Sequence, residues 1–286
     1  MKPREILYER MTWPQLREAA RADMVVLVPF GSIEQHGFHL PVDVDIRIAR
    51  EVCERAARRT DHAIVMAPMV FGFETHHMDW PGTIDIDWDV LVKYGVCVCS
   101  SLARHGFRRI LVINGHGSNR PILDMIVRLT AIKHPDIICA GQSWFHLGDV
   151  MAEFNTIRDS EVSSHADELE TAAYLAIDEA AVDMSQAMRD MTIRQSPHIW
   201  ADLAGRKPHA NSKHPLVMME HFSTGSVSGV RGDPTKATAE KGRRVLDAAA
   251  REIAEIVDEL RAREIVLPTD YHDVEVDELK RRLQPK

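Results

Sequence analysis

The chain has 286 residues, a formal net charge of −8, 45% apolar residues and 27% charged residues. That length can bury a sizeable core, while the acidic balance and the lack of a basic run exclude a nucleic-acid binder. No stretch approaches the ~20 apolar residues of a membrane span. The N-terminus, MKPREILYERMTW, lacks an apolar h-region, and the four cysteines form no CxxC pair. Both features predict a reduced, cytoplasmic protein whose thiols sit in the core. With no internal repeat and no low-complexity linker, residues 1–286 read as a single domain.

In chain order, residues 12–21 (TWPQLREAAR) predict a short helix with Thr12 as N-cap and Pro14 in the first turn. Met24 to Val28 is a buried strand that breaks at Pro29 and Gly31. Ile46 to Arg58 has helical periodicity, and Ala63 to Pro68 is a second strand. A polar and aromatic loop, FGFETHHMDWPGTIDID, leads to a helix over Trp88 to Arg104 that contains Gly95. Arg109 to Ile113 is a third strand, and a helix follows from Pro121 to Lys133. Ile137 to Gly141 is the fourth strand. Met151 to Ser164 reads as a polar loop, and Glu168 to Glu179 as a helix. Residues 186–232 lack periodicity and predict long ordered loops, and Thr235 to Ile265 is a long amphipathic helix before a charged tail. Near-continuous apolar strands alternating with helices predict an α/β fold with a mostly parallel sheet covered on both faces.

Polar residues cluster just beyond the strands. Glu34, His36, His39, Asp43 and Asp45 follow the first, the loop from His76 to Thr83 follows the second, and Asn114-Gly115-His116-Gly117 ends the third. A further cluster is Ser164-His165-Ala166-Asp167-Glu168-Leu169-Glu170-Thr171. In a parallel sheet all strand carboxyl ends share one edge, so these loops can converge. Glycines around His116 let the backbone approach a ligand closely. Carboxylates mixed with imidazoles suit Zn, Mn or Fe(II). A two-metal site needs a bridging carboxylate and further ligands on each ion. Glu34, His36, Asp45, His116 and one of Glu168 or Glu170 supply them. Metals that share a hydroxide predict hydrolysis.

The series GSIEQHGFHLPVDVD, HHMDWPGTI, INGHGSN and HADELET resembles the creatininase (creatinine amidohydrolase) family, as does the later GVRGDPTKATAEKG. The resemblance implies a three-layer α/β/α sandwich, two divalent metal ions per chain and a homohexamer. It also implies hydrolysis of C–N bonds in cyclic amides, formamides or short peptides, with a metal-bridging hydroxide attacking the carbonyl carbon. Carried over by motif, Glu34 and His116 bind one metal, His36 the other, and Asp45 bridges. His165 passes a proton to the leaving group or orients the substrate, and Asp43 is a supporting or capping residue. Creatininase itself has a ligand Glu two residues after the NGH histidine, where this chain has Ser118. The implied replacement is Glu170, as ligand and catalytic carboxylate. That departure argues for a divergent member rather than creatininase. His77, Trp80, Ser118 and Trp144 are substrate-binding candidates, with a core role as the alternative for Trp144.

The expected activity is therefore that of a metal-dependent amidohydrolase acting on a small-molecule substrate. Hydrolysis of a cyclic ketone or lactone by the same centre is the first alternative, and a non-catalytic metal-binding protein is the second.

Overall fold

A computed structural model describes residues 5–192 and 194–283. Four strands, β1 (Val25–Phe30), β2 (Ala63–Val65), β3 (Arg109–Asn114) and β4 (Ile138–Ser143), form one sheet in the order β2-β1-β3-β4. Every neighbouring pair is parallel. Side chains alternate across the strands and divide the interior into two cores. Val25, Leu27, Leu111 and Ile113 face one core, while Val26, Val28, Ile110 and Val112 face the other. The first is covered by α2 (Val44–Arg59), α5 (Gly148–Ile157), α6 (Glu168–Asp178) and α7 (Ala239–Ala262). The second is covered by α1 (Trp13–Arg21), α3 (Trp88–Arg104) and α4 (Arg120–Lys133). The fold is thus a three-layer α/β/α sandwich. A small antiparallel pair, β5 (Ser163–His165) with β6 (Arg231–Gly232), lies apart from the main sheet. No helix among the described residues is long and apolar enough to cross a membrane.

Several boundaries differ from the sequence expectation for physical reasons. β1 runs through Pro29 to Phe30 instead of stopping at Val28. Residues 25, 27 and 29 direct their backbone bonds toward β2, which ends at Val65 opposite Leu27. The donor that Pro29 lacks therefore has no ladder partner to lose. Gly148–Ile157 is a helix where a loop was expected from Met151. It buries Val150 and Phe154, and its N-terminus is capped from another element. Glu252 on α7 accepts bonds from Gly148 N–H (3.0 Å) and Asp149 N–H (2.7 Å). A cap 103 residues away leaves no local signature. Helix α7 starts at Ala239 rather than Thr235, because Thr238 accepts the Lys241 N–H at 3.2 Å and so sets the N-cap. Cys53, Cys99 and Cys139 are core thiols as expected, but helical geometry turns Cys97 outward.

Candidate metal centre

The loops at the carboxyl edge of the sheet meet in one buried cluster. After β1 the chain delivers Glu34 and His36, and the first turn of α2 delivers Asp45, all nearly inaccessible. The turn after β3 brings His116 against them. Gly115 permits this, since a methyl group there would lie 2.2 Å from the Asp45 carbonyl oxygen. Gly117, on the other flank, faces open space. His116 Nδ1 lies 2.8 Å from Glu34 Oε2 and 3.2 Å from Asp45 Oδ2. His36 Nε2 lies 3.5 Å from Asp45 Oδ1 and 3.7 Å from Glu170 Oε2. The two Asp45 oxygens thus face two different sets of donors.

Glu74 joins them, and sequence reasoning missed it. Its Oε1 lies 2.8 Å from His116 Nε2. Asp85 holds the Glu74 N–H at 2.7 Å, and Asn119 holds the Phe73 N–H at 3.0 Å. The available signal was a glutamate two residues before His76 in the loop after β2. Among the described residues, Glu34, Asp45, Glu74 and His116 form one group with metal-ligand spacing. His36, Asp45 and Glu170 form a second, and Asp45 belongs to both. The structure also separates the two glutamates left open by the sequence. Glu170 faces His36, whereas Glu168 accepts bonds from the Asp159 and Ser160 backbone and pairs with Lys241.

The electrostatics fit a bound cation. Both oxygens of Glu34, both of Glu74, Asp45 Oδ2 and His36 Nε2 are buried without a hydrogen-bond partner. Histidine nitrogens approach several of them, but none is aligned as a donor. Carboxylates stripped of water and left unpaired are costly, and divalent ions satisfy them. Burial opposes charge on Glu34, yet the fields of His77, His165 and His116 hold its carboxyl well below the usual range. Burial, reinforced by the charge of Glu34, pushes Glu74 up to about 8. Burial also raises Glu170 well above the ordinary carboxylate range against the opposing field of His36. Although burial works against it, the Asp45 carboxylate lifts His36 to about 10. His116 is raised likewise, its burial overcome by Glu74 and Glu34. Burial pushes His165 well below its ordinary value and His76 down to about 3.

A cavity of about 220 Å³ opens onto the cluster. His77, Ser118, His165 and Glu170 line it. His77 Nδ1 is 2.7 Å from Glu34 Oε1, and Ser118 Oγ meets His76 Nε2 at 3.0 Å. Two tryptophans do not line it. Trp144 is fully buried in the core beside Phe145, because the chain after β4 turns inward beneath α5 and α7. Trp80 stands behind the cavity wall, 6.5 Å from His77 and 6.0 Å from Phe222 between ring centroids. His39 bonds Thr171 Oγ1 at 2.9 Å, and Asp43 accepts from the Tyr174 hydroxyl at 2.8 Å, so both brace the site from α6. Gln35 was not singled out in the sequence. Its amide touches His77, His165 and the Gly229 carbonyl.

Buried acids and imidazoles gathered at the carboxyl edge of a parallel sheet define a metal-dependent hydrolase of the α/β class. The chain belongs to the creatininase family, whose model (creatinine amidohydrolase) matches residues 9–257. The 3-dehydro-scyllo-inosose hydrolase of Thermotoga maritima is 26% identical over 273 residues, 92% of this chain and 86% of that protein. The mycofactocin precursor peptide peptidase of Mycolicibacterium smegmatis is 32% identical over 230 residues, 77% of this chain and 79% of that protein. A solved creatininase with Mn superposes with a TM-score of 0.73 at 24% identity, covering 90% of this chain and 98% of that one. At that identity the superposition bears on the fold.

Proposed function

We propose that the protein is a two-metal amidohydrolase cleaving a C–N bond of a small cyclic amide or formamide. Asp45 carries this reading, since its oxygens face two donor groups at once. Glu34, Glu74 and His116 would hold one divalent ion and His36 and Glu170 the other, with Asp45 available to both. Zn, Mn and Fe(II) all suit this mixed oxygen and nitrogen set. Bound there, two such ions supply an activated water at neutral pH and polarise a substrate carbonyl.

The rest falls to the chain. His165 is kept neutral by burial, and its Nε2 lies 3.4 Å from Glu34 Oε1. With Nε2 donating to the Gln35 carbonyl oxygen at 2.9 Å, its other ring nitrogen, Nδ1, takes up the proton released by the attacking water and returns it to the departing nitrogen. His77 and Ser118, on the cavity wall, orient the substrate's polar atoms. The expected outcome for His36→Ala and Asp45→Ala is joint loss of metal and of activity, the latter at least about 100-fold. Elemental analysis alongside a hydrolysis assay checks this, and a metal-free Asp45→Ala protein with full activity sinks the reading.

A second reading is hydrolysis of a cyclic ketone or lactone. It is supported by the Thermotoga maritima inosose hydrolase, which aligns with 92% of this chain. Turnover of cyclic ketones but not of cyclic amides, formamides or dipeptides in one substrate panel would select it.

A further inference from the structure

Arg231 lines the cavity together with His165 and Glu34, and the chemistry above gives it no task. It lies on β6, in register with His165 on β5, so the ladder fixes its backbone beside the site. Its guanidinium stacks on Phe222, 3.8 Å from the ring centroid. The same ring lies 4.1 Å from His77 between centroids, which puts the cation one phenyl ring away from an imidazole that itself stands 2.7 Å from Glu34 Oε1.

The hydrogen-bonding of this cation is incomplete. Among the described residues, its one side-chain partner is the Phe222 carbonyl, 3.3 Å from Nη2. Nε is buried with no partner. Among the described residues no ion pair is formed by Arg231, although the fields of Glu220 and Asp190 are felt there. Asp190 is already engaged, accepting from Thr192, Ser226, Val227 and Ser228. Glu220 is exposed at the cavity mouth. A half-buried guanidinium held by stacking, with free donors toward a cavity, is a receptor for a planar anion that accepts two parallel N–H bonds.

We propose that Arg231 anchors a carboxylate of the substrate, so that the molecule cleaved is a small amide that also bears a carboxylate. This inference rests on the two-metal reading, and its test separates the two. The metal-loaded protein is titrated calorimetrically with a matched pair of metal-chelating probes, succinate monohydroxamate and the neutral succinamide monohydroxamate. Both reach the metals, but only the first presents a carboxylate at its far end. The expected result is at least about tenfold tighter binding of the carboxylate probe, as a charge-assisted pair provides. Arg231→Gln removes that preference while still binding the neutral probe, and Arg231→Lys keeps part of it. Equal binding of the two probes by the unmodified protein overturns the anchor alone, as does a preference that survives in Arg231→Gln. Failure of both probes to bind overturns the metal-centre reading and the anchor with it. The comparison of probes on the unmodified protein stands even where a variant fails to fold.

Discussion

Glu74 is a buried carboxylate with no hydrogen-bond partner on either oxygen, set 2.8 Å from His116. In the metal-free protein its acidity is weakened to about 8 by burial and by the charge of Glu34. A divalent ion would displace that proton and use the oxygen. Glu74→Gln keeps the shape and removes the charge. The expected outcome is a fall toward one metal per chain and a loss of activity of about 10–100-fold or more. Metal content after dialysis, with activity titrated against added metal, measures both. Two tightly held metals in Glu74→Gln would place this residue outside the centre. The same residue shows where sequence reading stops. Glu34, His36, Asp45 and His116 are legible because they follow apolar strands in short polar clusters. Glu74 sits in an aperiodic loop, and its position depends on tethers from Asp85 and Asn119 that no local pattern encodes. Glu168 and Glu170 share the first turn of α6, so only the packing of Lys241 against one and His36 against the other separates them. Trp144 was equally ambiguous, since a strand end can lead either to a cavity or into the core.

Helix α7 is the element on which the first core closes, and it packs against α2, α5 and α6. It approaches α6 at Gly242, where a methyl group would lie 1.8 Å from the Ala172 carbonyl oxygen. A backbone atom cannot rotate away as a side chain can. Gly242→Ala gains about 1 kcal/mol of helix propensity but forces the two helices apart, so a net loss of about 1–3 kcal/mol is expected. Urea unfolding measures it. Gly148→Ala is the control, because its methyl group would meet only Glu252 Oε1 at 3.7 Å and beyond. Equal stability of the two variants would mean that the close approach is relieved at no cost. Gly95 has a related explanation, since it admits Ile126 of α4, whose Cδ1 lies 2.3 Å from where a methyl group would stand. At this scale much of the fold was legible. Strand and helix periods are local properties, and all four strands of the main sheet and most helices were read near their true bounds. The helix from Gly148 was not, because its cap is a side chain of α7.

The parallel sheet brings Glu34, Asp45, Glu74 and His116 to one edge, where α6 adds Glu170, and the whole molecule therefore carries the cost of that concentration of charge. Without metal, Glu74 and Glu170 hold protons above the usual carboxylate range because of burial. His36 holds its proton up to about 10, and His116 is raised as well. Groups whose folded pKa is raised contribute stability at low pH that is lost as pH rises through the folded value. The lowered histidines act in the opposite sense, since the unfolded chain takes up their protons first. Their contribution is complete once pH exceeds about 6.5, the ordinary histidine value. Between about pH 7 and 10 the raised groups alone remain, and there the folded chain binds more protons than the unfolded chain. The chelated protein should therefore lose stability across that window, by about 1.4 kcal/mol per pH unit for each proton difference. Divalent ions replace those protons, so the metal-loaded protein should hold its melting temperature over the same range. Thermal melts at pH 7, 8 and 9, with and without chelator, compare the two states directly. Parallel curves would mean that the buried acids do not depend on a cation, and the metal-centre reading would lose its electrostatic basis.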